Sequence, residues 1–308
     1  MDAGDQVSRP PITLACVGLF GTAAQDDGML ERAFAEACAT QGIVPGTTDY
    51  AHYMVAVHHT LGEPAVEVFR GLFPGNPGRA EAAALSFERS FRAAIDRHGL
   101  LPVPGAQEAL EGLRESGVRI CMITGLSRRL LGIVLDTLGW WRLVDLALSP
   151  EDVPRGCPWP DQMLAAMLRL GVGDVQEAAY AGSTTSGIRC GKRAGARIVA
   201  GVLTGGHTRD RLREAGATQF ITGITEFPAL LAEAGTDAPV AGASAEGTRG
   251  GRVAGGGRVA GRAGFRGRVP GRGASAGDVT GGGPAEGAPR GPGPPPQASA
   301  SPVVRQVP

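Results

Sequence analysis

Lysine is almost missing from this chain: among 308 residues, Lys192 is the only one. Covalent chemistry through an amine therefore has a single place to start. Cysteine is sparse too, and Cys16, Cys38, Cys121, Cys157 and Cys190 form no Cys-x-x-Cys pair. Cys16 and Cys121 fall inside strand-like apolar runs, which argues against a disulfide framework and for a reducing, cytoplasmic setting. No apolar run is long enough to cross a bilayer, and Met1-Asp2-Ala3-Gly4-Asp5 lacks the basic, apolar layout of a secretion signal. Net charge is lacking as well, with 30 basic residues against 30 acidic ones. The balance hides an asymmetry, because residues 238–308 hold nine arginines and three acids, which leaves the remainder acidic by the same margin.

What is present divides into a body and an appendage. Residues 238–308 are Gly, Ala, Pro and Arg with few large apolar side chains, a composition that cannot offset its ordering entropy and reads as disordered. Its arginines around Arg249-Gly250-Gly251 suit weak RNA association, although Phe265 is the single aromatic there. The body opens with Leu14-Ala15-Cys16-Val17-Gly18-Leu19-Phe20-Gly21-Thr22, a buried strand entering a Gly-Thr turn. Residues 28–100 carry helical apolar spacing in Met29, Leu30, Ala33, Phe34 and Ala37, then Val66, Phe69, Leu72 and Phe73, then Leu85, Phe87, Phe91 and Ile95. Breaks fall at 42–45 and 74–77. Thereafter helices over 105–117, 127–138, 160–170 and 186–195 alternate with strands over 118–123, 143–148, 177–181 and 197–203. The fold class expected is α/β: a Rossmann-like parallel-sheet core over 1–25 and 101–237, an inserted helical cap domain over 26–100, and the tail.

Four later stretches accompany the first strand and turn. They are Ile120-Cys121-Met122-Ile123-Thr124-Gly125, Ser149 to Pro158, Ala181-Gly182-Ser183-Thr184-Thr185-Ser186-Gly187, and Leu203-Thr204-Gly205-Gly206-His207-Thr208. In order and spacing this set resembles the haloacid dehalogenase superfamily, in its phosphonatase-like hydrolase branch, from about residue 12 to 235. The resemblance implies a nucleophilic aspartate at the position of Gly18 and an aspartate or alanine at Phe20. It implies a hydroxyl at Thr124, a lysine or arginine at Cys157, and magnesium-binding aspartates at Ser183 and Gly187. Leu61-Gly62-Glu63-Pro64-Ala65 resembles the phosphonatase cap segment and puts Ala65 where an imine-forming lysine would stand. Of these positions only Thr124 keeps the implied polar function.

The consequences follow from bond-making. Glycine at 18 has no oxygen to attack phosphorus. Gly18, Ser183 and Gly187 bring no carboxylate for magnesium, so no metal site and no cofactor are expected. Without a cation at 157 the phosphoryl oxygens are not neutralised. Cys157 lies in Arg155-Gly156-Cys157-Pro158, where a nearby cation favours a thiolate, but no histidine stands at motif spacing to activate it. His58, His59 and His207 have no carboxylate beside them in a metal-ligand pattern. Candidate anion contacts are Gly21, Thr22, Thr124, Gly125, Arg155 and Ser183, through turn amides, hydroxyls and a guanidinium. Phe20 fills the mouth of the same region with an apolar ring. The expectation is a degenerate hydrolase-fold protein that binds a small anion or a protein partner. The alternatives are a residual or altered phosphohydrolase, and nucleic-acid association through the tail.

Overall fold

The structure, a computed structural model, describes residues 10–236. The readings made for 238–308 lie outside these residues. The first strand, β1 (Leu14–Gly18), is buried along its whole length, as expected of an apolar run covered on both faces. It sits at the centre of a six-stranded parallel sheet with β2 (Arg119–Ile123), β3 (Leu146–Leu148), β4 (Ala178–Gly182), β5 (Ile198–Val202) and β6 (Gln219–Ile221). The strand order is β3-β2-β1-β4-β5-β6. Side chains alternate across the sheet. Ala15, Val17, Ile120 and Met122 enter one core, whereas Leu14, Cys16, Cys121 and Tyr180 enter the other.

Four helices lie between β1 and the rest of the sheet: α1 (Met29–Thr40), α2 (Thr48–His59), α3 (Ala65–Leu72) and α4 (Pro77–His98). Their interior is aromatic, with Phe34 and Phe87 ring centroids 4.3 Å apart and Phe87 stacked on Phe91 at 5.8 Å. Phe20, in the turn after β1, meets Phe91 edge-on at 5.4 Å and so joins that turn to α4. Leu85 does not take part and is 62% exposed. Phe87, Phe91 and Ile95 repeat every four residues and set the inward face of α4, which turns residue 85 outward.

The remaining helices are α5 (Ala106–Glu115), α6 (Arg128–Leu138), α7 (Asp161–Leu170), α8 (Thr185–Ala194), α9 (Arg209–Ala215) and α10 (Phe227–Thr236). α9, β6 and α10 extend the architecture past the last strand read from the sequence. The strand expected over 143–148 is only three residues long, because residues 143 and 144 close a 3₁₀ turn back onto Trp140. In register, Gly18 pairs with Ile123 and Val17 with Ala181. The C-terminal tips of β1, β2 and β4 therefore lie side by side. β1 and β4 flank the point where the strand order reverses, the place at which ligands gather in the crevice of such sheets.

Candidate functional site

The turn after β1 is built by Ala23 N–H donating to Leu19 O at 2.8 Å and Gly21 N–H donating to Ala24 O at 2.9 Å. Gly21 has φ +70°, and a Cβ there would lie 2.9 Å from both the Gly205 Cα and the Ser183 Oγ, so the turn demands glycine on two grounds. Thr22 Oγ1 donates to Ser183 Oγ at 3.1 Å, and Ser183 Oγ donates in turn to Phe20 O at 3.2 Å. Thr204 Oγ1 donates to Gly21 O at 2.8 Å. Hydroxyls thus sew together the loops after β1, β4 and β5. Ser183 spends its only proton on the backbone and has none for an anion.

Gln162, fully buried on α7, holds the other loops. Its Nε2 donates to Thr124 O at 2.9 Å and Leu148 O at 3.0 Å, while its Oε1 accepts from Cys157 N–H at 3.1 Å. Thr124 Oγ1 accepts from Leu126 N–H at 3.2 Å. Cys157 is buried, and its hydrogen bond with Cys190, together with desolvation, pushes its thiol well above the usual range. Such a thiol is not an activated nucleophile. Arg155 turns away from the crevice: its guanidinium grips Asp161 at 2.9 and 3.1 Å and lies 4.5 Å over the Trp159 ring.

The segment Gly62-Glu63-Pro64 from the helical insert closes over these loops. A Cβ on Gly125 would sit 2.5 Å from Glu63 O and 2.6 Å from Gly62 O, and one on Gly62 would sit 2.6 Å from Thr184 Oγ1. His207 braces the same seam. Thr185 N–H, at the start of α8, donates to its Nδ1 at 2.8 Å, which leaves Nε2 to carry the proton donated to His58 O at 2.7 Å. Both nitrogens being used by the neutral ring, burial holds the His207 pKa below its ordinary value.

Beneath the seam lies a cavity of about 280 Å³. Gly18, Phe20, Gly21, Thr22, Thr124, Gly125, Cys157, Ser183 and Gly187 all line it, and so does Ala65, at the position of the implied cap lysine. Arg155 does not. Residues that the motif reading missed complete the wall, chiefly Glu63, Phe34, Phe87 and Tyr180. Tyr180 is 2% exposed, and its ring lies among glycines. Carbon atoms added at Gly182 or Gly187 would overlap its hydroxyl, and one at Gly18 would approach to 3.3 Å. The phenol therefore fills the volume into which side chains from 18 and 187 would project. Desolvation drives its pKa well up, so it stays neutral.

Residues 19–195 match the haloacid dehalogenase-like hydrolases. The chain belongs to that family. Among curated relatives, the phosphonoacetaldehyde hydrolase of Pseudomonas putida is 32% identical over 143 residues, which make up 45% of this chain and 51% of that one. The chain thus spans about half the length of the curated relatives it matches. A hydrolase from Pseudomonas syringae superposes with a TM-score of 0.62 at 22% identity, covering 72% of this chain and 98% of that one. A phosphonoacetaldehyde hydrolase-like protein from Oleispira antarctica gives 0.57 at 20% identity, covering 76% and 96%. These two structures share the fold with this haloacid dehalogenase-like protein.

The magnesium that the family resemblance implies does not suit the donors here. At the crevice the matching positions offer two glycines and a serine whose proton is bound to Phe20 O. Among the described residues no three His, Cys, Asp or Glu side chains gather in a way that would hold a metal ion. Magnesium needs hard oxygen ligands around an octahedron, and neither a phenol wedged between glycines nor a thiol supplies them. None of the described helices is long and apolar enough to cross a membrane.

Proposed function

We propose that this haloacid dehalogenase-like protein is catalytically degenerate and works by binding a ligand in its cavity rather than by phosphoryl transfer. One observation carries the reading: the tip of β1 is Gly18, and the Tyr180 hydroxyl stands where its missing side chain would meet that of Gly187. Covalent transfer needs an oxygen in line with phosphorus, and at the motif positions Gly18 has none, Ser183 is spent on the backbone and Cys157 is a buried, neutral thiol. Loss of the nucleophile alone costs about 10⁴–10⁶ in turnover in enzymes where it has been dissected.

The cavity wall also argues against the small anion expected from the sequence. Asp26, Glu31 and Glu63 line it, whereas no lysine or arginine does. At an effective dielectric of about 20, each pair of like unit charges about 6 Å apart costs roughly 3 kcal/mol. A phosphate dianion would meet such pairs with no lysine or arginine in the lining to pair with it. Incubating the full chain with an aryl phosphate and magnesium tests the reading. No turnover above buffer is expected, and magnesium-dependent release of phosphate that Thr124→Ala abolishes would overturn it.

A further inference from the structure

Resting on that binding role, we propose that the cavity takes a small organic amine in its cationic form, with the ammonium paired to Glu63 and an apolar body against Phe20, Phe34 and Phe87.

The first ground is a phenol whose hydroxyl has no protein partner. The Tyr180 hydroxyl faces the cavity, yet the side chain is 2% exposed and makes no hydrogen bond to any described residue. A hydroxyl that opens only onto a cavity takes its hydrogen-bond partner from whatever occupies that cavity, water or ligand. The second ground is charge. Glu63 is half-buried on the wall and makes neither a hydrogen bond nor an ion pair through its carboxylate among the described residues. Burial raises its pKa, and Arg189 and Arg193 on α8 partly counter this, but neither arginine reaches the wall. Asp26 and Glu31 add negative charge at the same cavity, and the Arg32 guanidinium, beside Gly28, is not part of the lining.

The third ground is the apolar side. Phe34 and Phe87 are buried with their rings 4.3 Å apart, and both line the cavity, as does Phe20 from the β1 turn. Aromatic faces attract cations, and apolar walls bury a hydrocarbon body. Carboxylate, aromatic wall and lone phenol together favour an amphipathic ammonium over a neutral molecule of the same shape. They disfavour any phosphate.

Calorimetry and thermal shift on the full chain separate the possibilities with three probes: 2-phenylethylamine, its isostere 2-phenylethanol, and inorganic phosphate. The amine is expected to bind and to raise the melting temperature, with the alcohol at least tenfold weaker and phosphate without effect. Glu63→Gln should weaken the amine tenfold or more and leave the alcohol unchanged. Tyr180→Phe, which keeps the ring, should weaken both several-fold. Equal binding of amine and alcohol, competition by phosphate, or no binding of the amine overturns the proposal. Aryl-phosphatase activity measured on the same preparation keeps the two readings apart: turnover defeats the binding role itself, whereas an inert protein that ignores amines defeats only the ligand assignment.

Discussion

A methyl group on Gly187 would overlap the Tyr180 hydroxyl, whereas one on Gly18 would stop 3.3 Å short of it. Gly187 lies in the first turn of α8, where alanine would ordinarily gain about 1 kcal/mol over glycine. Overpacking of a filled core costs about 1–3 kcal/mol, so steric conflict decides the sign. Gly187→Ala should therefore lower stability in urea unfolding while Gly18→Ala changes it by less. Gly187→Ala placed on Tyr180→Phe should recover part of the loss, because the hydroxyl overlap goes while the approach to the ring Cζ at 2.8 Å stays. Equal costs with and without the hydroxyl would show that the phenol does not set the space. Residue-scale chemistry also governs the thiols. All five cysteines are free and buried, with Cys38 pushed up to about 11 by desolvation and Cys157 raised by its bond to Cys190 and by burial. A thiol reagent at pH 8 should find none of them in the native protein and all five after unfolding. A fast-reacting native thiol removed by Cys157→Ser would contradict this.

Between elements, His207 is the joint that links the loop after β5, the start of α8 and the end of α2. Its folded pKa lies below the ordinary value of about 6.5, so the folded state binds fewer protons than the unfolded chain does there. The stabilisation is full above about pH 6.5 and declines as pH falls toward the lower folded value. Protonation at Nδ1 would also break the bond from Thr185 N–H. Glu63 runs the other way, since its raised pKa makes the folded state bind more protons on the acid side. Comparison with His207→Asn isolates the histidine: between pH 8 and 5.5 the melting temperature of the wild type should fall more than that of the variant. Parallel curves would remove His207 from the pH response.

The same elements show what a sequence can and cannot disclose. β1, β2, β4 and β5 are five-residue strands rich in buried apolar side chains, and their runs are plain in the sequence. β6 has three residues, and Ile221 is the only one of them buried, so it leaves no pattern to read. Among site residues, motif spacing picked out nine that the fold does bring to one cavity. It failed for Arg155, because a local pairing with Asp161 and Trp159 outcompetes the crevice. It missed Tyr180 because a tyrosine in an apolar strand reads as core, and only the sheet register aims it at the strand tips. It missed Glu63 because the loop that carries it acquires meaning only once it closes over Gly125.

At the scale of the whole molecule, catalysis in such a fold belongs to a constellation contributed by loops from several strands, and groups acting as a unit fail as a unit. Set against the family resemblance, the positions that depart are Gly18 after β1, Cys157 before α7, Ser183 and Gly187 after β4 and Ala65 in the insert, while Thr124 after β2 does not. Each replacement is also embedded in its own contacts, from the Thr22–Ser183–Phe20 hydroxyl relay to the Gln162 bonds that pin Cys157. Restoring one carboxylate therefore does not restore the others. In Gly18→Asp the new oxygen would arrive beside the Tyr180 phenol, where a hydrogen bond would hold it away from a substrate, and no cation would offset its charge. That variant should fold, should show no magnesium-dependent hydrolysis of an aryl phosphate, and should gain no thermal stability from magnesium. Turnover regained by this single change would mean that the remaining machinery is intact, and that the vacancy at the end of β1 is the sole lesion.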